Sequence, residues 1–327
     1  MPKIEGLVTV RGLVAAAVFG WACACGGQAP VERRGAAVQD GPIATLHAEA
    51  RLVNITVNAV DSAGAPVSGL IQADFSLAED GKPQKIVFFE KDSSTPLSIV
   101  LAVDGSESVL TNERLEKTAG KKFVDTLLRP QDEFDLMEFD DTVREIVSFT
   151  NDKKRIESGL SDLGRGDATA VYDAVYLASQ RLGETKQDAG RRRVLVLITD
   201  GDNTVKGVRY DEAVAQAQKA GVMVYALIVV PIAADAGRNT GGEHALIQMA
   251  NDTGGKYYYV EDPKELGPAF QKVSDDLRTQ YVLGYYAPER TAKNRADGFR
   301  AVEVTVTDPA MAGKVSLRYR TGYYAAR

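Results

Sequence analysis

The stretch SIVLAVDGSESVL, Ser98–Leu110, runs from an apolar segment into a polar cluster with Asp104, Ser106 and Ser108 at alternate positions. A carboxylate and two hydroxyls just past a buried strand suit a turn, a nucleophile site or a cation cradle. Two other loops carry related chemistry. Asp200-Gly201-Asp202 closes the apolar run RVLVLITD, and Thr169 lies in GRGDATAVYDA, ahead of a helical segment. In an open parallel sheet, ligands gather at the carboxyl ends of the strands near the topological switch point, where these loops are expected. The principal candidates, Asp104, Ser106, Ser108, Thr169 and Asp200, offer only oxygen donors. Such a set favours a hard cation, Mg²⁺ or else Mn²⁺ or Ca²⁺, over Zn²⁺. Having few carboxylates leaves coordination positions to water, which suits Mg²⁺.

These loops need a sheet to hold them. LSIVLAVD, RVLVLITD and VMVYALIVV are continuous apolar runs of strand length, the mark of strands covered on both faces. Between and after them the period is helical. Glu113–Leu128 places Leu115, Ala119, Phe123, Val124 and Leu127 on one face. Further helices are expected over Lys153–Leu163, Tyr172–Leu182, Tyr210–Ala220, Glu243–Asn251 and Pro263–Arg278, with Gly221 ending the fourth of the six. DEFDLMEFD and VREIVSFT read as two strands around an Asp140-Asp141 turn, giving an antiparallel edge strand, and GKYYYV as one more strand. Strands alternating with helices imply an α/β, Rossmann-like, doubly wound and mostly parallel sheet over residues 95–280.

The flanks are different. Residues 48–92 alternate with period two, with turn signals at Asp61–Gly64 and Asp80-Gly81, and DFSLAEDGKPQKIVFFE reads as a strand, a turn and a strand. Residues 281–327 return to β, with Val302, Val304 and Val306 in clean alternation. A few strands bury too little to stand alone. The two flanks are therefore expected to form one small β-sandwich, with the α/β domain inserted between its halves.

The N-terminus has the make-up of an export signal over residues 1–25. Lys3 and Arg11 precede a short apolar stretch, and Ala22-Cys23-Ala24 fits the small-x-small cleavage rule. Acylation of Cys25 is an open alternative, which a weak lipobox with Ala22 in place of Leu does not decide. Residues 26–47, rich in Gly, Ala, Pro and Gln, read as a flexible linker. The two cysteines, Cys23 and Cys25, both fall in the signal, so the folded part would hold no disulfide. The expected location is the periplasm, the cell envelope or the exterior, with membrane contact only through the signal or a lipid anchor. A net charge of −6 argues against nucleic acid as a partner. The one dense basic run, Arg191–Arg193, reads as a solvated loop rather than an anion patch.

Asp104-x-Ser106-x-Ser108, Thr169 in Gly-x-x-Thr-Ala-Val-Tyr-Asp-Ala, and Ile198-Thr199-Asp200-Gly201 come in this order along the chain. Together they resemble the von Willebrand factor type A family and its metal-ion-dependent adhesion site, over roughly Thr95–Gln280. The flanking phrases resemble an exported acidobacterial subgroup. The resemblance implies that Ser106 and Ser108 bind a cation through their hydroxyls and that Asp104 acts through water and through hydrogen bonds to the serines. Thr169 would bind directly or through water, and Asp200 would complete the shell. One position would stay open for a carboxylate of a protein partner, making the chain a metal-dependent adhesion-type module and not an enzyme. Gly105 and Glu107 depart from the usual intervening residues and leave the ligand positions intact.

Other readings use the same residues. A Mg²⁺-dependent phosphoryl-transfer hydrolase also places an Asp at the end of the first strand, but needs a second Asp where Ser106 stands. A scaffold with a non-functional site would use Asp104 and the serines merely as helix caps. Neither His47 nor His244 lies near the serines in sequence, so no Ser-His-Asp set is visible. Asp173 and Asp202 suit helix N-terminus and loop roles. Arg165-Gly166-Asp167, which spells an integrin-binding tripeptide, reads as coincidence. The paired and tripled tyrosines read as core and rim residues of the sheets.

Overall fold

A computed structural model describes residues 52–92, 95–106, 113–164, 166, 168–185, 191–230, 240–288 and 298–324. The signal and linker assignments, Ser108, Glu107, Arg165 and Asp167 lie outside the described residues. In chain order the N-terminal flank holds β1 (Leu52–Asp61), β2 (Phe75–Glu79), β3 (Lys82–Gln84) and β4 (Phe88–Asp92). The middle holds β5 (Leu97–Asp104), α1 (Glu113–Leu127), β6 (Glu133–Phe139), β7 (Val143–Thr150), α2 (Lys153–Ser161), α3 (Val171–Glu184) and β8 (Arg192–Thr199). It continues with α4 (Tyr210–Ala220), β9 (Val222–Val229), α5 (Thr240–Thr253), β10 (Tyr257–Val260) and α6 (Leu266–Leu277). The C-terminal flank holds β11 (Gln280–Tyr286), β12 (Phe299–Val306), α7 (Pro309–Ala312), β13 (Val315–Arg318) and β14 (Gly322–Tyr324).

The middle strands form one six-stranded sheet, ordered β10-β9-β8-β5-β6-β7. All its pairings are parallel except β6 with β7, the expected antiparallel edge. Strand parity explains why its strands are apolar throughout. Leu97, Ile99, Leu101 and Val103 of β5 pack with α1 and α6 on one face. Val100 and Ala102 pack with α3 and α4 on the other. The β8 residues divide the same way, Val194 and Val196 on the first face and Leu195 and Leu197 on the second. Among the described residues no helix is long and apolar enough to cross a membrane.

The flanks build two four-stranded sheets, β13-β1-β11-β4 and β14-β12-β2-β3, each mixing strands from both ends of the chain. Leu52 of β1 meets Tyr286 of β11, and Val302 of β12 meets Glu79 of β2, so the halves interleave as expected. Their shared core includes Ile55, Phe75, Leu77, Tyr281, Leu283 and Val304. The Asp80-Gly81 signal is a two-residue turn with φ of 48° and 75°, joining Glu79 to Lys82. This all-positive pair is what a tight hairpin demands.

Four details differ from the sequence reading. The segment after that turn is not one strand: β3 stays with β2, and β4 crosses to the other sheet beside β11. The expected Pro263–Arg278 helix begins as a 3-10 turn at Pro263–Glu265, with Asp262 accepting from the Lys264 amide, before α6 starts. The helix expected over Glu243–Asn251 is longer, Thr240–Thr253, so exposed His244 lies inside it rather than opening it. Arg192 and Arg193 are not a solvated loop. They belong to β8, and Arg192 is buried where the amide oxygen of Gln280 accepts from its guanidinium.

Candidate metal-binding site

The strand order reverses between β5 and β8. From β5 the chain moves to β6 and β7 on one side, then returns to place β8 on the other. The crevice at the carboxyl ends of these two strands is the switch point. Asp104 is the last residue of β5, and Asp200 directly follows β8, whose Ile198 pairs with Val103. Two of the expected ligands thus stand on neighbouring strands because the sheet puts them there.

Asp104 is fully buried. Its Oδ1 accepts from the Ser106 amide at 2.9 Å and its Oδ2 accepts from the Thr199 hydroxyl at 2.6 Å. Both oxygens are therefore engaged. Burial pushes the Asp104 carboxyl up to about 6; hydrogen bonds from Thr199 and Ser106 oppose the rise, and the nearby charge of Asp200 adds to it. Thr199 also accepts from the Gly201 amide at 3.0 Å, so one hydroxyl ties the two acidic loops together. The sequence reading gave Thr199 no role, since a threonine at a strand end reads as an ordinary β-former.

The third loop is fixed to the first by backbone pairing. The Gly105 amide donates to the Phe139 carbonyl at 2.8 Å, and the Gly166 amide donates to the Gly105 carbonyl at 2.9 Å. Ser106 and Gly166 form an isolated parallel bridge. Gly166 has no room for a side chain, because a Cβ there would lie 2.3 Å from the Cβ of Asp140. A charged cluster outside the sequence prediction holds this approach. Glu138 accepts from the Gly164 amide, and Arg144 bridges Glu138 at 3.0 Å and Asp140 at 2.7 Å.

Thr169 and Asp200 are also buried. The hydrogen bonds that fix Thr169 use its backbone: its amide donates to the Thr204 hydroxyl at 2.9 Å, and its carbonyl accepts from the Thr204 amide at 2.9 Å. Among the described residues its hydroxyl has no hydrogen-bond partner. Asp200 Oδ1 accepts from the Asp202 amide at 3.1 Å, which gives Asp202 its loop role. Asp173 anchors the same loop by accepting from the Val208 amide at 3.2 Å. Gly201, at φ 84°, sits against the Gly242 backbone, where a Cβ would come within 2.9 Å of a carbonyl carbon.

Asp104 and Ser106 are thus hydrogen-bonded to each other, the Ser106 segment pairs with Gly166, three residues before Thr169, and Thr204, four residues after Asp200, binds the Thr169 backbone. The donor chemistry fits a hard cation: carboxylates and hydroxyls, with no sulfur or imidazole. Among the described residues no three His, Cys, Asp or Glu side chains converge on a possible metal position. A cation in this crevice would have to rely on the hydroxyls and on water.

Residues 98–272 match the von Willebrand factor type A domain. That is more than half of the chain. The chain belongs to this family. Among solved structures, it is similar to the conserved hypothetical protein BatB from Bacteroides thetaiotaomicron. The two are 23% identical, with a TM-score of 0.44, over 56% of this chain and 99% of that one. It is also similar to a von Willebrand factor type A protein from Catenulispora acidiphila, at 12% identity and TM-score 0.48, over 84% and 73% of the two chains. A third is proximal thread matrix protein 1 from the mussel byssus, with a zinc-occupied MIDAS motif. It is 18% identical, with a TM-score of 0.48, over 62% of this chain and 50% of that one. No curated protein matches the chain.

Proposed function

We propose that this von Willebrand factor type A protein is an exported, divalent-cation-dependent protein-binding module. Ser106, Ser108 and Thr169 would hold the cation, preferably Mg²⁺, through their hydroxyls, with Asp104 and Asp200 supporting it partly through water. The observation that carries the reading is the division of labour at the switch point. Both oxygens of Asp104 are spent on positioning Ser106 and Thr199, while the Thr169 hydroxyl has no hydrogen-bond partner among the described residues. A site with so little direct negative charge leaves a bound cation electrophilic, and a carboxylate from a partner would complete its shell. The bound cation supplies that Lewis acidity. The chain's residues would position it, through hydroxyls directly and through the two carboxylates partly by way of water.

Thermal unfolding in EDTA, Mg²⁺, Mn²⁺ and Ca²⁺ tests this, with Asp104→Ala and Thr169→Ala alongside. A cation at one hundred times its dissociation constant stabilises the fold by about 2.7 kcal/mol. At about 2–4 °C per kcal/mol for a large domain, Tm should rise by roughly 5–10 °C in the wild type and not in the variants. No shift with any cation would overturn the reading and leave a scaffold with a non-functional site. Phosphatase activity lost in Asp104→Asn would favour the hydrolase instead.

A further inference from the structure

At the opposite end of the six-stranded sheet, where the sandwich strands meet the start of β8 and the end of α4, lies a cavity of about 570 Å³. Its lining includes Arg191, Arg192, Arg193, Lys219 and Arg320, and among the described residues one carboxylate, Glu90, which is exposed. Several arginines of this protein face acids: buried Arg300 meets Glu79, partly buried Arg318 and Arg278 meet Asp276 and Asp132, and Arg191 of the cavity wall meets Glu133 at 3.9 Å. Arg193 does not. Its guanidinium donates to the Ala220 carbonyl at 2.8 Å, the Thr185 carbonyl at 3.1 Å, the Gly183 carbonyl at 3.3 Å and the Thr185 hydroxyl at 3.4 Å, all neutral oxygens. Partial burial lowers its proton affinity. Lys219 lies over the Tyr324 ring at 5.1 Å, and Arg320 lies over the Tyr323 ring at 5.2 Å and donates to the Asn54 carbonyl.

Helix ends account for part of this. Arg193 caps the carboxyl ends of α3 and α4, where a cation is favoured. That role needs one arginine, and Arg191 has Glu133 for a partner; Arg192, Lys219 and Arg320 line the same hollow besides. A buried charge is costly unless balanced, and low-dielectric walls strengthen the attraction for a counter-charge that enters. The volume falls within the roughly 300–1,000 Å³ of small-molecule sites.

We propose that this cavity binds a small multivalent anion, a compound bearing two or more phosphate or carboxylate groups. Arg192 and Arg193 would form its floor, and Lys219 and Arg320 its mouth. The site is independent of the cation crevice, which lies at the other edge of the sheet.

Isothermal titration of the full chain with inorganic pyrophosphate, and separately with citrate, tests this at low ionic strength. EDTA in the buffer prevents either probe from acting by stripping a cation from the crevice. Saturable binding of at least one probe is expected, weakened about tenfold or more in Lys219→Ala/Arg320→Ala, as loss of charged contacts implies. Lys219→Arg should stay close to wild type. Preference between the probes tells phosphate from carboxylate chemistry. Absence of saturable binding of both probes at millimolar concentration overturns the proposal, as does equal affinity in the double variant. Should the double variant fail to fold, Lys219→Glu, changed at an exposed side chain, makes the same comparison: weaker binding supports the site and unchanged binding refutes it.

Discussion

Removing one hydroxyl should disable the cation crevice without touching a proposed ligand. Thr199→Val keeps the shape of the side chain and deletes two hydrogen bonds, to Asp104 Oδ2 at 2.6 Å and from the Gly201 amide at 3.0 Å. Losing a hydrogen bond to a charged group costs about 1.5–3 kcal/mol, and leaving a buried amide unsatisfied costs about 1–3 kcal/mol. Both groups are buried, so the sum should be roughly 3–5 kcal/mol, a large share of the 5–15 kcal/mol typical of whole proteins. For a domain of this size that is a fall in Tm on the order of 10 °C in EDTA. Asp104 also loses the bond that fixes its outer oxygen, so the stabilisation by Mg²⁺ should shrink. Thr199→Ser restores the hydroxyl and should recover most of both effects. Thermal scans of the three proteins with and without Mg²⁺ make the comparison. A Thr199→Val protein that melts within 2 °C of wild type and keeps its full Mg²⁺ response would show that Thr199 neither holds Asp104 nor matters to the crevice.

Three other sites give sharp expectations. Gly166→Ala drives a Cβ into Asp140, so the loop carrying Thr169 must move, and the cation-induced shift should fall even if the Tm in EDTA drops only modestly. Glu79→Ala strands buried Arg300 and takes the acceptor from the hydroxyls of Tyr285 at 2.5 Å and Tyr323 at 2.8 Å. Urea unfolding should show a loss of about 3–5 kcal/mol, smaller in Glu79→Gln, and a loss under 1 kcal/mol would contradict this account. Asp135, buried on β6, has its carboxyl pushed up to about 8 by burial and by Glu145 of β7, against the pull of Arg181 of α3, whose Nε is 3.6 Å away. A raised folded-state value means stability is complete below the ordinary 3.8 and lost as pH rises towards 8, by up to about 1.4 kcal/mol per unit. Asp135→Asn should gain on wild type steadily from pH 4 to pH 8, and parallel stability curves would refute this assignment.

How much of this was legible depended on whether the signal was local. The apolar runs at Leu97–Val103 and Val194–Ile198 announced doubly covered strands, because in a parallel sheet both parities are buried. The switch-point loops followed from those strands alone. The division of β3 from β4 was not legible, since a chain crossing between two sheets keeps the same alternation on both sides. The Glu79–Arg300 pair was half legible. Glu79 shares parity with Phe75 and Leu77, and Arg300 with Val302 and Val304, which marks both as inward, but nothing in sequence says that they meet. Arg192 was misread because a basic triplet normally seeks water, and only the strand that carries it turns the middle residue into the core.

The two ends of the six-stranded sheet differ for a reason built into its winding. Each helix returns antiparallel to the strands, so helix carboxyl ends collect at the amino edge of the sheet and helix amino ends at its carboxyl edge. Free carbonyls at the first favour cations, and free amides at the second favour carboxylates. Arg193 under α3 and α4 follows that rule, while Asp104 and Asp200 at the opposite edge take amides of the loops that follow their strands. At one end the partners of buried Asp104 are a hydroxyl and an amide, and at the other the partners of half-buried Arg193 are neutral oxygens. Neither neutral set cancels a full charge. On the two proposals above, the same winding would offer one edge to a cation and the other to an anion. If both sites are real, a cation at the crevice and an anion at the cavity should each raise Tm, and at this separation their effects should add.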